Sequence, residues 1–304
     1  MIKQQRLKRA APLLVVLAGA CWGLIGLFSK QLDEIGFSAV QTVFLRFASA
    51  AVLLWLYILL FDRDKMKIRL RDCWMFIGTG LLSLTLFSTL YFTTIRLTTL
   101  SFAAVLLYTA PSFVMLLSAL FFREKIGPVK LAALGIAFIG CICTTGLLSN
   151  GVGRVSTLGI LTGIGSGFGY ALYSIFGTAA LKKYNTVTVT AYTFLVSALA
   201  LLPFCADRAF FALFAGPGVV TNALGLTLLS TLAPYLLYTQ GLQYTEPGKA
   251  SVLAFSEPLV ATLAGILFFR ERPTAGGILG ILLIFASLFL INYKRKSRSE
   301  SLKD

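Results

Sequence analysis

The chain contains no histidine and little charge of either sign. Of its 304 residues only 12 are acidic, against 27 Lys and Arg, and charged residues make up 13% of the total. Histidine is the most common general acid or base near neutral pH and a frequent metal ligand. No cluster of acidic residues takes its place in the sequence, so an enzyme would have little chemistry to use. We therefore expect no enzymatic activity, no metal ion and no cofactor.

Cysteine is scarce as well. The five cysteines are odd in number and most lie inside or at the ends of apolar runs, so no disulfide framework is expected. Cys141 and Cys143 have a spacing found in some metal sites. Because no other ligand type lies near them, they are interpreted as small core residues.

Long polar segments are also missing. Hydrophobic residues make up 57% of the chain and the mean hydropathy is +0.84, which indicates an integral membrane protein. An apolar run of about 20 residues crosses a hydrocarbon core roughly 30 Å thick. The connections are too short for a soluble catalytic or nucleic-acid-binding domain. We predict an all-α fold of ten transmembrane helices, over residues 11–30, 37–61, 72–91, 98–122, 128–147, 157–180, 187–204, 219–239, 250–269 and 276–292.

The net charge of +15 follows the predicted topology. With the N terminus inside, most Lys and Arg residues fall in inner segments such as 3–9, 63–71 and 294–303, which places both termini in the cytoplasm. The basic loops are then topology signals beside the anionic lipid of the bilayer, and they do not indicate a nucleic-acid partner. The first run also resembles a secretory signal peptide, but nine further spans follow it, so we expect an uncleaved first helix.

The sequence repeats itself. Segments 121–124 and 268–271 both read Phe-Phe-Arg-Glu, and Pro111 and Pro258 keep the same spacing. We predict two halves, residues 1–150 and 151–304, with five spans each. An odd number of spans makes the second half enter from the opposite side, so the repeat is inverted, as is typical of secondary transporters. The alternative is that the duplication only builds a large helical bundle.

Glycine and proline are placed where helices would pack or bend. Small residues four apart, as in 19–23, 163–167 and 276–280, favour close contact between membrane helices. Pro111 and Pro258 hold corresponding places in the fourth and ninth spans, and Pro234 interrupts the eighth. A matched pair of interrupted helices points to a substrate cavity, the alternative being tolerated kinks without a role in binding.

Two ionisable residues lie deep in predicted spans, Arg46 in the second and Glu257 in the ninth. Such positions cost at least about 2.5 kcal/mol on insertion scales, so each is a functional candidate. Both are expected near the bilayer midplane, where they either pair with each other or face one cavity. A purely structural ion pair is the alternative. Glu257 corresponds to Ala110 in the first half, and it is the main candidate for a proton site or for the counter-ion of a cationic solute.

Aromatic residues recur at helical spacing on several spans. A central cavity with tyrosine walls suits small amphipathic or cationic molecules through apolar contact and cation–π attraction. Core packing or lipid contact is the alternative for any one of them. With Arg46 and Glu257, the predicted substrate-binding residues are Trp22, Tyr91, Tyr108, Tyr170, Tyr173, Tyr238 and Phe255.

Taken together, these segments resemble the ten-helix drug/metabolite transporter superfamily, specifically its EamA-type members. The resemblance covers essentially the whole chain. It implies a carrier in the bacterial inner membrane, often an exporter, of amino acids, related metabolites or drugs. It is carried by the twin halves and by segments 21–23 (Cys-Trp-Gly), 44–47 (Phe-Leu-Arg-Phe), 170–173 (Tyr-Ala-Leu-Tyr), 111–124 and 257–271.

We therefore expect a secondary transporter that moves a small organic solute by alternating access. Its cavity is expected between the halves, with helices three, four, eight and nine, together with one and six, as walls. Protons are the candidate coupling ion, and the protein is expected as a monomer or homodimer. The rival hypothesis is a non-transporting membrane scaffold or an accessory subunit of a lipid-modifying system.

Overall fold

The computed structural model describes residues 2–147, 156–205, 208–270, 272 and 274–292. Glu271 of the second repeat motif and the basic tail 294–303 lie outside these residues. Throughout the described part of the chain the regular structure is helical, without strands. Nine helical segments are long and apolar enough to cross a membrane, and Pro128–Thr144 is a shorter apolar helix. The prediction of an all-α, ten-helix membrane protein is confirmed.

We number the membrane helices α1 to α10 and treat an interrupted helix as one span. In the first half these are α1 (Ile2–Gly23 and Ile25–Ile35), α2 (Ala39–Phe61), α3 (Cys73–Ile77, Gly78–Thr85 and Leu86–Leu97), α4 (Leu100–Leu107 and Ala110–Phe122) and α5 (Pro128–Thr144). In the second half they are α6 (Thr157–Leu181), α7 (Thr186–Cys205), α8 (Val219–Thr227, Leu228–Leu232 and Ala233–Leu242), α9 (Pro247–Leu253 and Ser256–Phe269) and α10 (Ala275–Asn292).

The helix ends follow local sequence. Ser38 starts α2 with a capping box, in which its side chain accepts from the Gln41 N–H while the Gln41 side chain accepts from the Ser38 N–H. Gly36 ends α1 in the left-handed region, at φ +112°. Arg123 and Arg270 end α4 and α9 in the same unusual region, at φ +56° and +54°. The repeated Phe-Phe-Arg segments thus adopt the same backbone conformation in both halves.

Four helices are interrupted at corresponding places. α4 breaks at Tyr108 and Thr109, just before Pro111, and α9 breaks at residues 254–255, just before Pro258. Proline lacks an N–H and cannot continue the hydrogen-bond ladder, which accounts for both breaks. α3 and α8 each contain a π-helical stretch, Gly78–Thr85 and Leu228–Leu232. Such stretches are rare and often lie at functional sites.

Two spans are longer than their apolar runs predict. α1 continues from the predicted end at residue 30 to Ile35, and α3 continues from residue 91 to Leu97. The added turns contain Gln31 and Arg96, which are good helix formers. These turns mix polar and hydrophobic residues, so they continue each helix beyond its uninterrupted apolar run.

The two ends of the bundle differ in chemistry. We call the end that holds the connections α2–α3, α4–α5, α6–α7 and α8–α9 the basic end. There Asp72 pairs with Lys183 at 2.5 Å and accepts from the Tyr184 hydroxyl at 2.7 Å. At the opposite end Phe37 packs against Phe210, with ring centroids 5.9 Å apart. These contacts bring together connections that the predicted topology assigns to the same side.

Candidate functional site

The interruptions of α4 and α9 face each other across a small cavity. The Tyr108 and Phe255 rings, one from each break, lie with centroids 6.0 Å apart. The cavity volume is about 20 Å³, which holds about one water molecule. Its lining comes from α4, α6 and α9: Leu107, Tyr108, Ala110, Pro111, Tyr170, Ser251, Ala254, Phe255, Glu257 and Pro258. Four of the predicted site residues, Tyr108, Tyr170, Phe255 and Glu257, therefore meet here.

Glu257 brings an acidic group to this cavity. It lies in the first turn of the second segment of α9, where the helix dipole favours a negative charge. Its side chain is half-buried and lines the cavity. Among the hydrogen bonds and ion pairs of the described residues, none involves its carboxylate. A carboxylate without a protein partner in a membrane-spanning segment is a costly feature that a cation or a proton would relieve.

Arg46 has partners other than Glu257. Its Nε donates to the Thr231 hydroxyl and its Nη2 to the Ser230 carbonyl, both at 2.9 Å. A direct ion pair with Glu257, one of the two arrangements expected from the sequence, is not formed, and Arg46 is not among the residues that line the cavity. Pro234 is the reason that the Ser230 carbonyl can accept this bond, because it has no N–H to donate to the carbonyl four residues before it.

An aromatic cluster lies behind the cavity, formed by Trp22, Tyr170, Tyr173, Tyr235 and Tyr238. The Trp22 ring contacts Tyr170, Tyr235 and Tyr238 at centroid distances of 6.4, 5.2 and 5.3 Å. Tyr170 belongs to both the cluster and the cavity lining. The buried Nε1 of Trp22 has no hydrogen-bond partner within the described part of the chain. This leaves one donor of the cluster available to a polar ligand or a water molecule.

Two predicted tyrosines have hydroxyls that are already bonded to neighbouring helices. Tyr173 bonds to Thr239 at 2.6 Å, and Tyr238 bonds to Ser174 at 2.7 Å. The two bonds form a reciprocal pair that joins α6 to α8. Tyr173 and Tyr238 therefore present ring faces, rather than hydroxyl groups, to the cluster.

Tyr91 is not among the residues that line the cavity. Its ring contacts Phe87 at 6.1 Å and Phe92 at 5.9 Å, and Phe87 contacts Tyr170 at 5.4 Å. Tyr91 is thus separated from the cavity lining by one aromatic ring. The sequence analysis placed Tyr91 at the end of α3. Because α3 continues to Leu97, Tyr91 lies within the helix instead.

Glycines of α1 and α6 set the position of the two breaks. A Cβ on Gly23 would lie 2.6 Å from the Glu257 carbonyl oxygen, so α1 touches the backbone of α9. A Cβ on Gly167 would lie 2.6 Å from the Thr109 hydroxyl and 3.1 Å from the Leu106 carbonyl oxygen, at the break of α4. Both close approaches fall on the predicted small-residue faces of these helices.

Several residues of the site were not predicted from the sequence. Tyr235 contacts Trp22 and Tyr173, and its spacing three residues before Tyr238 places both on one helix face. That spacing was a usable signal. Ser230 also carried a signal, because Pro234 four residues later lacks the N–H that would bond to its carbonyl. Thr231 carries no comparable signal.

Comparison with known proteins places this fold among membrane transporters. The model of the EamA-like transporter family matches residues 9–146 and again residues 157–293. An uncharacterized transporter of Archaeoglobus fulgidus is 32% identical over 66% of this chain and 70% of its own length. The uncharacterized transporter YxxF of Bacillus subtilis is 27% identical over 96% and 92% of the two chains.

A further relative is the uncharacterized inner membrane transporter YicL of Salmonella typhimurium, 26% identical over 96% of this chain and 98% of its own. A solved crystal structure superposes with a TM-score of 0.79 at 16% identity, covering 93% of this chain and 96% of the other. At that identity the likeness shows the fold alone.

Proposed function

Because the chain belongs to the EamA-like transporter family, we propose that it is a secondary transporter that exports a small organic solute across the bacterial inner membrane by alternating access. The observation that carries this proposal is the unpaired Glu257 carboxylate in the cavity between the facing breaks of α4 and α9. Discontinuous helices that meet at a buried site are the usual place of substrate binding in secondary transporters.

The size of the cavity supports a cycle of closed and open states. Pockets that bury small organic molecules have volumes of several hundred Å³, whereas this cavity has about 20 Å³. The solute therefore binds when α4 and α9 separate at their breaks. In the proposed cycle the halves 1–150 and 151–304 exchange conformations, which opens the cavity to one side of the membrane and then to the other.

Glu257 couples the solute to protons in this proposal. Its carboxylate binds first a proton and then the positively charged group of the solute, because each of them neutralises the same negative charge. The ring faces of the aromatic cluster bind the organic part of the solute, and the Trp22 Nε1 donates to an acceptor on it. Arg46 contributes by holding the π-helical stretch of α8 in place.

The test begins with a thermal-shift screen of the purified protein against amino acids, amines and related metabolites, because a ligand of the folded state raises its apparent stability. Transport of the best ligand is then measured in proteoliposomes at several pH values, with flux followed in both directions. We expect wild-type flux to depend on pH and Glu257→Gln to reduce it by about tenfold or more and to remove the pH dependence.

The matched control is Asp33→Asn, which removes an exposed acid from the end of α1. This variant should transport like the wild type. An unchanged rate and pH profile for Glu257→Gln would remove the proposed role of this acid. Purified protein that gives no flux for any ligand of the screen would favour the scaffold hypothesis.

A further inference from the structure

The basic end of α4 and α9 contains a group of charges that the proposed site does not use. Glu124, just after α4, has a side chain only 4% exposed. One of its carboxylate oxygens is 2.6 Å from the Lys130 Nζ. The other accepts from the Ser118 hydroxyl and from the Gly248 N–H, the latter at 3.1 Å. Glu124 thus connects its own half to the first turn of α9 in the other half.

Lys130, in the first turns of α5, completes the connection. Its ammonium group donates to Glu124 at 2.6 Å, to Glu246 at 2.6 Å and to the Lys125 carbonyl at 3.0 Å. A lysine ammonium has three N–H donors, so all of them are used. Charge-assisted bonds of this kind are stronger than neutral ones. Two of the three bonded groups lie on the α4–α5 side, and the third, Glu246, directly precedes α9.

The two halves approach each other closely at this point. A Cβ on Gly248 would lie 2.7 Å from a Glu124 carboxylate oxygen and 3.2 Å from the Met115 side chain. A residue with a side chain would force Glu124 away from the Gly248 N–H. Glycine therefore permits the first turn of α9 to sit directly on Glu124.

In the sequence, the other half does not repeat this set of charges. The repeat places Gly265 opposite Ser118, Gly277 opposite Lys130 and Thr99 opposite Glu246. Glu124 corresponds to another acid, Glu271, which lies outside the described residues. The lysine and the second acid therefore have no charged counterpart, so the same set of bonds cannot form from the corresponding residues.

The opposite end contains a larger surface groove. The groove has a volume of about 450 Å³ and lies between the end of α1, the start of α8 and the end of α9. Lys30, Gly218 and Phe269 are among its lining residues, and it shares none with the central cavity. Here α1 and α9 meet through the Lys30 ammonium, which lies 4.3 Å from the centroid of the Phe269 ring. The two ends are therefore held by different kinds of contact.

We propose that Ser118, Glu124, Lys130 and Glu246 form an ionic lock that holds the basic end shut. The lock rests on the proposed alternating-access cycle, in which it favours the state whose cavity opens at the opposite end. Opening the basic end requires the first turn of α9 to leave Glu124 and Lys130. Because Lys130 and Glu246 correspond to Gly277 and Thr99, the repeat does not supply the same lock to the other closed state, and we expect the two states of the cycle to differ in stability.

Amide hydrogen exchange of the purified protein in detergent tests the lock without any solute. The variant is Glu246→Lys, which places a positive charge against Lys130. The wild-type Glu246 side chain is 62% exposed, so the variant is expected to fold. Exchange in residues 247–253 should become on the order of tenfold faster, because the Gly248 N–H loses its bond to Glu124 whenever the lock opens. Glu246→Gln should act in the same direction with a smaller effect.

Asp64→Lys is the matched control. It makes the same charge change at the same end, at a side chain that is 84% exposed and pairs with Lys67. It should leave exchange in residues 247–253 unchanged. High salt should accelerate exchange there in the wild type, since the exposed Glu246 contact is screened.

Equal exchange in Glu246→Lys, Asp64→Lys and the wild type would overturn the lock, even if the protein transports a solute. Faster exchange only in Glu246→Lys would support the lock, even if no solute were found to be transported. The outcome for the lock is therefore separate from the outcome for the proposed function.

Discussion

Arg46 holds the π-helical stretch of α8 through two hydrogen bonds, to Thr231 and to the Ser230 carbonyl. A lysine in its place has one nitrogen atom at the end of a single stem and does not match this two-point geometry. We expect Arg46→Lys to lower the free energy of unfolding by about 2 kcal/mol, as is typical for hydrogen bonds of a charged group. Thermal or denaturant unfolding of the purified protein in detergent measures this change.

Arg63→Lys is the control for this variant. The Nε of Arg63 also donates to a backbone carbonyl, that of Leu59 at 3.0 Å, but at an exposed position at the basic end. Water replaces that bond, so the stability should change by less than about 0.5 kcal/mol. Equal effects of the two substitutions would show that Arg46 does not stabilise the π-helical stretch.

Trp22 offers a second prediction for a single residue. Its Nε1 is buried and bonds to no described protein atom. Trp22→Phe keeps an aromatic ring while removing this donor, so stability should be little changed. If the donor serves the solute, ligand affinity should fall by about fivefold to tenfold, the cost of one hydrogen bond. Isothermal titration with the ligand found by the screen measures this.

Trp55→Phe is the matched control, because Trp55 also has a buried Nε1 with no partner among the described residues and packs against the Tyr192 ring at 5.0 Å. Trp55 belongs neither to the aromatic cluster nor to the cavity lining. Its substitution should leave ligand affinity unchanged. A similar loss of affinity in both variants would argue against a direct contact between Trp22 and the solute.

At this scale the sequence identified the unusual side chains but not their partners. Glu257 and Arg46 are conspicuous because charge is rare in apolar spans. Arg46 bonds instead to the Ser230 carbonyl, which lies four residues before Pro234 and so lacks its usual helical N–H donor. The sequence contains this free acceptor, but it does not show that α2 brings Arg46 to it.

At the scale of helices, the contact of α1 with α9 depends on Gly23. A Cβ there would lie 2.6 Å from the Glu257 carbonyl oxygen and 2.8 Å from the Ala261 nitrogen, both of which are backbone atoms. Backbone atoms cannot move aside as a flexible side chain can, so α1 must shift away from α9. We expect Gly23→Ala to destabilise the protein by about 2 kcal/mol, as overpacking commonly does, and to impair transport by displacing Glu257. Unfolding and flux measurements test both parts.

Gly26→Ala provides the control on the same helix. A Cβ on Gly26 meets nothing within 4 Å, and alanine has a higher helix propensity than glycine. This variant should be as stable as the wild type or more stable by up to about 1 kcal/mol. If Gly23→Ala were as stable as Gly26→Ala, this result would contradict the close packing of α1 on α9.

The interruptions of the helices were only partly predictable. Pro111, Pro234 and Pro258 lie next to helix breaks or π-helical stretches, as expected from the lost hydrogen bond. The π-helical stretch of α3 has no proline at all, in Gly78–Thr85. It corresponds to the π-helical stretch of α8. This correspondence becomes visible only when the structures of the two halves are compared.

At the scale of the whole molecule, the two halves are interlocked. α1 of the first half packs on the break of α9 in the second, through Gly19 and Gly23. α6 of the second half packs on the break of α4 in the first, through Gly163 and Gly167. The cavity lining also comes from both halves, since Pro111 belongs to one and Pro258 to the other. Each half alone would expose these glycine faces to lipid.

This interlocking predicts how the halves behave when they are separated. Residues 1–150 and 151–304 produced from two genes should assemble in the membrane and purify together, because the glycine faces of α1 and α6 each pack on the other half. Either half produced alone should accumulate to less than about a tenth of the paired level, since a subunit that folds only in a complex is stabilised by its partner. Gly23→Ala in the first half should weaken co-purification, whereas Gly26→Ala should not. A half that is stable and monodisperse by itself would show that the halves fold independently and that the contacts of α1 and α6 are secondary.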